Sequence, residues 1–334
     1  MRQAKPSVRG SGAASGRRPV ILDCDPGHDD AMAILLAARH FDLLGVTTVS
    51  GNVDVERTTL NARRVVDLAG LHVPVARGCA APLVELPRHV PEIHGSSGLD
   101  GYKFPPPVTP IDPRHGVEFL IETVRARTGV TVIATGPLTN LAVALRRAPE
   151  IGARIREISV MGGSVTLGNS TPAAEFNIRF DPEAADIVFR SGVPLWMCGL
   201  NLTRQAGLDR GTIDRLERLG TRTARAMAGV LRVYLKNLRA RAGQASASLH
   251  DPCAVAILLE EPVISWAPMH VAVELRGEHT RGMTVCDARH IRAFNPAAAE
   301  GGGPLGQPPN ANVAIGLDHA RFLDLIEDAL AGFP

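Results

Sequence analysis

Short apolar runs rich in β-branched residues alternate with helical patterns along most of this chain, and this alternation limits the possible folds more than any other feature. Strands that read as continuous apolar runs are buried on both faces, so the pattern predicts an α/β fold with an open, mostly parallel, Rossmann-like sheet covered by helices. The strand candidates are residues 19–25, 43–50, 130–135, 157–163 and 193–199. The helix candidates are residues 29–40, 56–69, 115–127, 139–147 and 182–191, a stretch of roughly 211–241, and a closing helix in HARFLDLIEDALAGF.

Two segments show neither period and are predicted to be loops: residues 77–113, which are rich in proline, and residues 294–311. Long loops in an α/β fold usually cover a ligand site or are mobile. Residues 1–18 are basic and contain Gly, Ser and Ala without an apolar core, so we expect a flexible tail. Residues 19–334 are then expected to form a single domain.

Charge and cysteine usage exclude several classes of protein. The formal net charge is only +2 and aromatic residues make up 4% of the chain, which does not favour nucleic-acid binding. The five cysteines are scattered and lack C-x-x-C spacing, so neither a disulfide framework nor a thiolate metal site is expected. No apolar run approaches the ~20 residues that cross a bilayer. We expect a cytoplasmic protein without a nucleic-acid or membrane partner.

Four aspartates lie within eight positions of the segment ILDCDPGHDDA, residues 21–31: Asp23, Asp25, Asp29 and Asp30. A strand that ends at Asp25 and turns through Pro26-Gly27 into a helix places them at the carboxyl end of a strand, where open α/β sheets bind ligands. Asp29 and Asp30 could simply cap the helix, but capping does not explain the other two. Oxygen ligands without Cys or His favour a hard cation such as Ca²⁺ or Mg²⁺, which would relieve their repulsion.

Other polar residues follow predicted strands or lie in loops, and each has a plain structural alternative. Asn52 and Thr135 directly follow strands, but Asn52 could be a turn residue and Thr135 a helix cap. His94 lies in a Gly-rich loop, where a lone histidine is more often solvated than catalytic. His250 and Asp251 open a helix, so they could be a cap and its neighbour. The segment around Glu175 offers amide and carboxylate groups that suit sugar hydroxyls.

The order of these motifs resembles that of the nucleoside hydrolases, which include the nonspecific and pyrimidine-preferring ribonucleoside hydrolases. The resemblance rests on the segments DCDPGHDDA, TTVSGN, IHGSSGLDG, ATGPLTNLA, MGG, AEFN followed by DPEAA, and the pair His250-Asp251. They span residues 19 to about 330. The resemblance implies hydrolysis of the N-glycosidic bond of a ribonucleoside to ribose and free base, in a homotetramer or homodimer that serves nucleoside salvage.

The resemblance also implies a role for each matching position. The calcium ligands would be Asp25, Asp30, the Thr135 carbonyl oxygen and Asp251, and Asp23 would support them from behind. The substrate-binding residues would be Asp29, Asn52, Met161, Asn169, Glu175, Phe176 and Asn177. Asp25 would be the general base for a calcium-bound water, and His250 the leaving-group acid, helped by His94.

The chain departs from the family pattern at two places. The helix before His250 offers Arg, Ala, Gln and Ser where family members often place aromatic or amide contacts to the base, so the preferred base stays open. Tyr234 lies about two helical turns too early for that contact, given ~3.6 residues per turn. Asn201 stands where an acid is common in the family.

Two alternatives come from other classes of protein. A haloacid-dehalogenase-like phosphatase also has a D-x-D pattern after its first strand, but it requires Thr or Val where this chain has Gly27. A catalytically silent nucleoside-binding protein on the same fold would not need Asp25 and His250. Turnover would separate it from an enzyme.

Overall fold

The computed structural model describes residues 16–243, 245–299 and 303–334. Most of the predicted tail, residues 1–15, lies outside the described residues. Arg18, at the end of that predicted tail, donates hydrogen bonds to Glu157 Oε1 and to the Leu258 carbonyl oxygen, both at 3.1 Å. The side chain of Arg18 is therefore already attached to the folded body.

Eight strands form one central sheet in the order β3-β2-β1-β4-β5-β6-β12-β9, and two small two-stranded sheets, β10-β11 and β7-β8, lie apart from it. The strands are β1 (Pro19–Cys24), β2 (Asp42–Thr48), β3 (Val75–Arg77), β4 (Val130–Ala134), β5 (Ile155–Met161), β6 (Leu195–Cys198), β7 (Gly207–Leu208), β8 (Ala247–Ser248), β9 (Ile264–Met269), β10 (Val271–Val273), β11 (Thr284–Cys286) and β12 (Ala311–Leu317).

The helices cover both faces of this sheet. They are α1 (His28–His40), α2 (Val55–Leu68), α3 (Pro91–His94), α4 (Gly116–Ala126), α5 (Thr139–Arg147), α6 (Phe176–Phe180), α7 (Pro182–Phe189), α8 (Leu200–Thr203), α9 (Arg210–Glu217), α10 (Arg222–Ala242), α11 (Pro252–Ala256) and α12 (His319–Ala331), with a 3₁₀ helix at Pro149–Ala153. None of the helices in the described ranges is long and apolar enough to cross a membrane.

The strand order reverses direction on either side of β1, and this reversal locates the site. β2 pairs with one edge of β1 and β4 with the other, both in parallel. A crevice therefore opens at the carboxyl ends of β1 and β4, which is where open α/β sheets bind ligands. Among the described strands of the central sheet, only β9, antiparallel to β12, breaks the parallel arrangement. The predicted mostly parallel α/β fold is confirmed.

Burial on both faces explains why the strands read as apolar runs. In β1 every residue after Pro19 is buried, and residues 28–37 of α1 are buried as well. One apolar cluster packs α1, α10, α11 and α12 against one face of the sheet, and a second packs α4, α5 and α7 against the other. Removing a large side chain from such a core typically costs about 2–5 kcal/mol.

The predicted single helical stretch over 211–241 is wrong, because the structure has two helices there. α9 ends at Glu217, and α10 begins at Arg222 with Thr221 as its N-cap, whose side chain accepts from the Ala224 amide. Gly220 between them has φ +77°, a left-handed conformation that glycine adopts at little cost. The apolar spacing continues across this break because both helices pack on the same core, so periodicity alone did not detect it.

Strands β3, β9 and β12 of the central sheet were not among the sequence candidates. β3 has only three residues, and the pairing of β12 with β9 shifts register between Ala314 and Gly316. The predicted loop over 77–113 is mostly irregular but contains α3. The predicted loop over 294–311 leads into β12, and its residues 300–302 lie outside the described part of the chain.

Candidate active site

Four buried carboxylates meet at the carboxyl end of β1. Asp25 follows β1, Asp29 and Asp30 lie in the first turn of α1, and Asp251 precedes α11, which packs against α1. Each is at most 4% exposed. Ligand oxygens of Asp29, Asp30 and Asp251 all lie within 4.8 Å of one another. We call these four residues the acidic cluster.

Burial and mutual repulsion raise the pKa values of the carboxyl groups in the acidic cluster. Burial, and then the charge of Asp30, raises the pKa of Asp29 to about 7. Burial, and then the charge of Asp30, also raises the pKa of Asp25 well above its usual range. Asp251 behaves in the same way, through burial and the charges of Asp29 and Asp30. The donors are all hard oxygens, so the chemistry of this cluster fits a divalent cation.

Asp30 is held by groups from three parts of the chain. Its Oδ2 accepts from the Gly27 amide at 3.0 Å, and its Oδ1 accepts from Thr135 Oγ1 at 2.8 Å. The amide of Asn52 lies 3.3 Å from Oδ2. Asp30 therefore closes the amino terminus of α1, as the capping alternative expects, while belonging to the acidic cluster. The two interpretations are compatible.

The backbone at Gly51, Asn52 and Gly136 packs closely around the Asp25 carboxylate. Its Oδ2 accepts from the Asn52 backbone amide at 2.6 Å, and its carbonyl oxygen accepts from Asn52 Nδ2 at 3.1 Å. A Cβ at Gly136 would lie 2.6 Å from Asp25 Oδ1, and one at Gly51 would overlap Oδ2. Only glycine at these two positions leaves room for the carboxylate.

Asp23 lies within β1, two residues before Asp25 of the acidic cluster. Its Oδ1 accepts from Thr47 Oγ1 at 2.6 Å and from Asn140 Nδ2 at 2.7 Å, while its buried Oδ2 has no partner among the described residues. Burial raises the pKa of Asp23 to about 6. Asn140 also accepts from the Cys79 amide and donates to the Thr48 carbonyl oxygen. This network ties the ends of β1 and β2 to the segment after β3.

Asn177 joins the ends of β4 and β5. Its Nδ2 donates to the Thr135 carbonyl oxygen at 2.8 Å and to the Met161 carbonyl oxygen at 3.1 Å. Thr135 also bonds Asp30, so Asn177 is linked through Thr135 to the acidic cluster. Asn52, Thr135 and Met161 were noted for following predicted strands, whereas Asn177 was noted only in a segment without strand or helix periodicity. The sequence spacing alone did not show which atoms meet.

Glu175, Asn169 and Phe176 lie further out and are linked by backbone contacts. Glu175 caps α6: its Oε1 accepts from the Asn177 amide at 3.0 Å, and its Oε2 accepts from the Gly163 and Ile178 amides. Burial raises the pKa of Glu175 to about 7. Asn169 is exposed, and its Oδ1 accepts from the Phe176 amide at 2.9 Å. Phe176 itself is half-buried.

His250 and His94 come from distant segments of the chain and lie close enough for the charge of His250 to act on His94. His250 is half-buried, and its Nδ1 lies 2.7 Å from Thr203 Oγ1. Burial and then the charge of Arg204 lower the pKa of His250 to about 4. His94, at the end of α3, is buried, and burial and the nearby histidines His28 and His250 lower its pKa well below the usual range. Both rings are therefore neutral at neutral pH unless a bound group intervenes.

Sequence reasoning missed several residues that support the site. Tyr234 was expected to lie about two helical turns too early to contact the base, and a role beside the histidines was not foreseen. Its ring lies 5.2 Å from that of His28 and 5.5 Å from that of His94, measured between centroids. Asn201 accepts from the Val165 amide and donates to the Ala314 carbonyl oxygen, which accounts for an amide where the family often has an acid. His28 lies inside the segment DCDPGHDDA and Thr203 lies two residues after Asn201, but sequence reasoning assigned no role to either.

Comparison with known proteins gives consistent matches over nearly the whole chain. The family model described as inosine-uridine preferring nucleoside hydrolase matches residues 20–324. The chain is 39% identical over 320 residues to the pyrimidine-specific ribonucleoside hydrolase RihB of Escherichia coli K12, covering 95% of this chain and 98% of that protein. It is 41% identical over 319 residues to the pyrimidine-specific ribonucleoside hydrolase RihA of Shewanella sp. MR-7, covering 94% and 96%.

Solved structures show the same likeness. The purine-preferring ribonucleoside hydrolase from Gardnerella vaginalis superposes with a TM-score of 0.84 at 32% identity, covering 94% of this chain and 98% of that one. A plant nucleoside hydrolase, the PpNRh1 enzyme, also has a TM-score of 0.84, at 31% identity over 94% of this chain and 99% of that one. The crevice described above therefore lies in a fold shared with enzymes of differing base preference.

Proposed function

This chain belongs to the inosine-uridine preferring nucleoside hydrolase family and is a ribonucleoside hydrolase, and we propose that it cleaves pyrimidine ribonucleosides with the help of a Ca²⁺ ion in its acidic cluster. The observation that carries the proposal is the convergence of Asp29, Asp30 and Asp251 oxygens within 4.8 Å. The family assignment excludes the haloacid-dehalogenase-like phosphatase. The pyrimidine preference rests on the names of the relatives near 40% identity.

The proposed metal ligands are Asp25, Asp30, Asp251 and the Thr135 carbonyl oxygen. These groups are hard oxygen donors, and a carboxylate-rich oxygen site of adaptable geometry suits Ca²⁺ better than Mg²⁺ or Zn²⁺. When bound, the cation would orient the ribose hydroxyls and acidify a water molecule. Asp29 also fits the cluster, and we assign it to the ribose because its carboxylate lies beside His250 as well as beside the metal ligands.

Asp25 is assigned as the general base. Its Oδ2 is held by the Asn52 amide, so the carboxylate cannot rotate away from the pocket, and it can take a proton from the attacking water. The transition state of N-glycoside hydrolysis develops positive charge on the ribose ring, and the surrounding carboxylates of the acidic cluster stabilise that charge. The amide groups of Asn52, Asn169 and Asn177, with Glu175, Met161 and Phe176, are assigned to the ribose and its surroundings.

His250 is assigned to the leaving base, with His94 assisting. The Thr203 hydroxyl can donate to His250 Nδ1 at 2.7 Å, which leaves the hydrogen on Nε2. The pKa of His250 is lowered to about 4, so the ring is neutral when the substrate binds. It would first donate a hydrogen bond from Nε2 to the leaving base, and the proton would transfer as negative charge builds on the base. A pyrimidine accepts at O2, whereas a purine has other protonation sites, so the effect of His250 should depend on the base.

The deciding experiment is a panel of purine and pyrimidine ribonucleosides assayed for released ribose, with elemental analysis of the active protein. We expect release from uridine or cytidine and one Ca²⁺ per chain. Hydrolysis of purine nucleosides alone would contradict the pyrimidine assignment, and active protein without stoichiometric divalent metal would contradict the calcium site. We further propose that residues 19–334 form one domain and that the enzyme is a cytoplasmic homotetramer or homodimer that acts in nucleoside salvage.

A further inference from the structure

Three buried rings, those of His28, His94 and Tyr234, lie against one another beside the acidic cluster. The ring centroids are 5.2 Å apart for His28 and His94, 5.2 Å for His28 and Tyr234, and 5.5 Å for His94 and Tyr234. His28 is completely buried and His94 is 6% exposed. The proposed reaction uses His94, but it gives no role to His28.

The two histidines meet edge to edge. Their Nδ1 atoms are 3.2 Å apart and their planes differ by only 23°, although the centroids are 5.2 Å apart. In this geometry an N–H of one ring points in the plane of both rings at the lone pair of the other. One Nδ1 must therefore carry hydrogen and the other must accept it.

A carbonyl group decides which nitrogen of His28 carries the hydrogen. His28 Nε2 lies 3.2 Å from the Asp100 carbonyl oxygen, and a carbonyl can only accept. A neutral His28 therefore has its hydrogen on Nε2 and a lone pair on Nδ1. His94 must then donate from Nδ1, and a neutral His94 has no hydrogen left for Nε2.

One contact favours the opposite arrangement, but it is the weaker one. The His28 backbone amide lies 3.4 Å from His94 Nδ1 and would need a lone pair there. If His94 Nδ1 accepted this hydrogen bond, a neutral His28 could carry its one hydrogen on Nδ1 or on Nε2. A hydrogen on Nδ1 would leave the Nε2 lone pair facing the Asp100 carbonyl oxygen, and a hydrogen on Nε2 would leave the Nδ1 lone pair facing that of His94, each at 3.2 Å. A cationic His28 would avoid both clashes, but it would place a buried positive charge in the first turn of α1, where the helix dipole opposes it.

We propose that His28 is a positioning residue that holds His94 in its Nδ1–H tautomer, so that the Nε2 lone pair of His94 is available to the substrate as a hydrogen-bond acceptor. Among the described residues no group bonds to His94 Nε2. His94 and His250 then differ in function, since His250 donates from Nε2 and His94 accepts at Nε2.

The consequence for the substrate rests on the proposed function. Uracil carries an N3–H donor next to its O2 acceptor, whereas cytosine carries a lone pair at N3. A donor and an acceptor side by side match the O2 and N3–H edge of uracil, and the His94 lone pair would repel cytosine N3. We therefore expect wild-type enzyme to favour uridine over cytidine.

The tautomer can be measured without substrate. Long-range ¹H–¹⁵N spectra of calcium-loaded enzyme with ¹⁵N-labelled histidine distinguish protonated from bare ring nitrogens, and the signals of His94 are identified by their absence in His94→Gln. We expect a protonated Nδ1 and a bare Nε2 on His94, and a protonated Nε2 on His28. A protonated Nε2 on His94, or a doubly protonated His28, would overturn the proposal whether or not the enzyme is active.

A matched pair of variants tests the role in turnover. His28→Asn can place an amide oxygen where Nδ1 was, whereas His28→Leu has nearly the same shape and no acceptor. We expect the ratio of kcat/KM for uridine to that for cytidine to fall about tenfold in His28→Leu, the effect of losing one hydrogen bond, and to recover in His28→Asn. An equal change of the ratio in both variants, or no change in either, would refute a positioning role. A wild-type protein that hydrolyses no ribonucleoside would instead refute the proposed function, and the nitrogen spectra would still decide the tautomer.

Discussion

At the scale of single residues, the carboxylates of the acidic cluster have distinct positions that predict distinct mutational effects. Asp30 is central, because it bonds Thr135 and Gly27 and repels both Asp25 and Asp29. Asp25 is held separately by Asn52. Substitutions that remove one charge while keeping shape can therefore separate metal binding from chemistry.

Asp30→Asn is expected to remove the metal and the activity together. The amide keeps the shape of the side chain but not its charge, so we expect loss of stoichiometric Ca²⁺ and a fall in kcat/KM of at least about 100-fold. Elemental analysis and ribose release would be measured on the same preparation. Asp54→Asn, at the half-buried N-cap of α2, is the matched control and should keep both. Full calcium content in Asp30→Asn would remove this residue from the ligand set.

Asp25→Asn is expected to lower kcat while leaving ribose-analogue binding nearly intact. A general base acts mainly in the transition state, and its loss typically costs about 10²–10⁴-fold in rate. Calcium content has to be measured alongside, because Asp25 is also a proposed ligand. Normal turnover in a variant that retains calcium would show that another group is the base.

His250→Ala is expected to reduce turnover in proportion to how much help the leaving group needs. Uridine should lose about 10²–10⁴-fold, whereas p-nitrophenyl riboside, whose leaving group departs without protonation, should lose much less. Both substrates would be assayed on one calcium-replete preparation. Equal losses would mean that His250 supports the architecture next to Asp251 rather than the leaving base.

At the scale of secondary-structure elements, the break between α9 and α10 predicts a local effect on stability. Gly220 has φ +77°, so Gly220→Ala should destabilise the fold by about 1–2 kcal/mol. The control Gly152→Ala lies at a negative φ, and its Cβ would meet nothing closer than 3.6 Å, so it should be nearly neutral. Denaturant unfolding would measure both, and both should keep wild-type kcat. Equal stability of the two variants would contradict the strain argument.

At the scale of the whole molecule, the proposed metal site should link cation binding to global stability, because its carboxyl groups bind protons when no cation is present. The folded-state pKa of Asp29, about 7, lies above its value in an unfolded chain, near 3.9, so the metal-free folded state holds more protons between these values. Stability of metal-free protein attributable to this carboxyl is therefore present below about pH 4 and is lost as the pH rises towards 7.

A cation that replaces those protons should stabilise the protein more at higher pH. We expect the rise in Tm on adding Ca²⁺ to chelator-treated protein to be larger at pH 7.5 than at pH 5, because protons compete with the metal at the lower pH. Differential scanning calorimetry at both pH values, with and without Ca²⁺, measures it. An equal rise at the two pH values would show that these carboxyls do not exchange protons for metal.

The sequence by itself determined the fold class and predicted which polar residues follow the strands. Continuous apolar runs are the signature of strands buried on both faces, and polar residues directly after such runs reach the same edge of a parallel sheet. That reasoning located Asp25, Asn52 and Thr135 from local information, and the order of the motifs indicated the family. Local patterns suffice here because strand ends are defined by the residues next to them.

Only the tertiary structure decided which groups touch. Asp251 reaches Asp29 and Asp30 across more than two hundred positions of the chain because α11 packs against α1, and no local spacing encodes that contact. In the same way, Tyr234 meets His28 and His94 only through the packing of α10 against α1 and α3. Burial then set the protonation of these groups, since their pKa values depend on surroundings that distant segments provide.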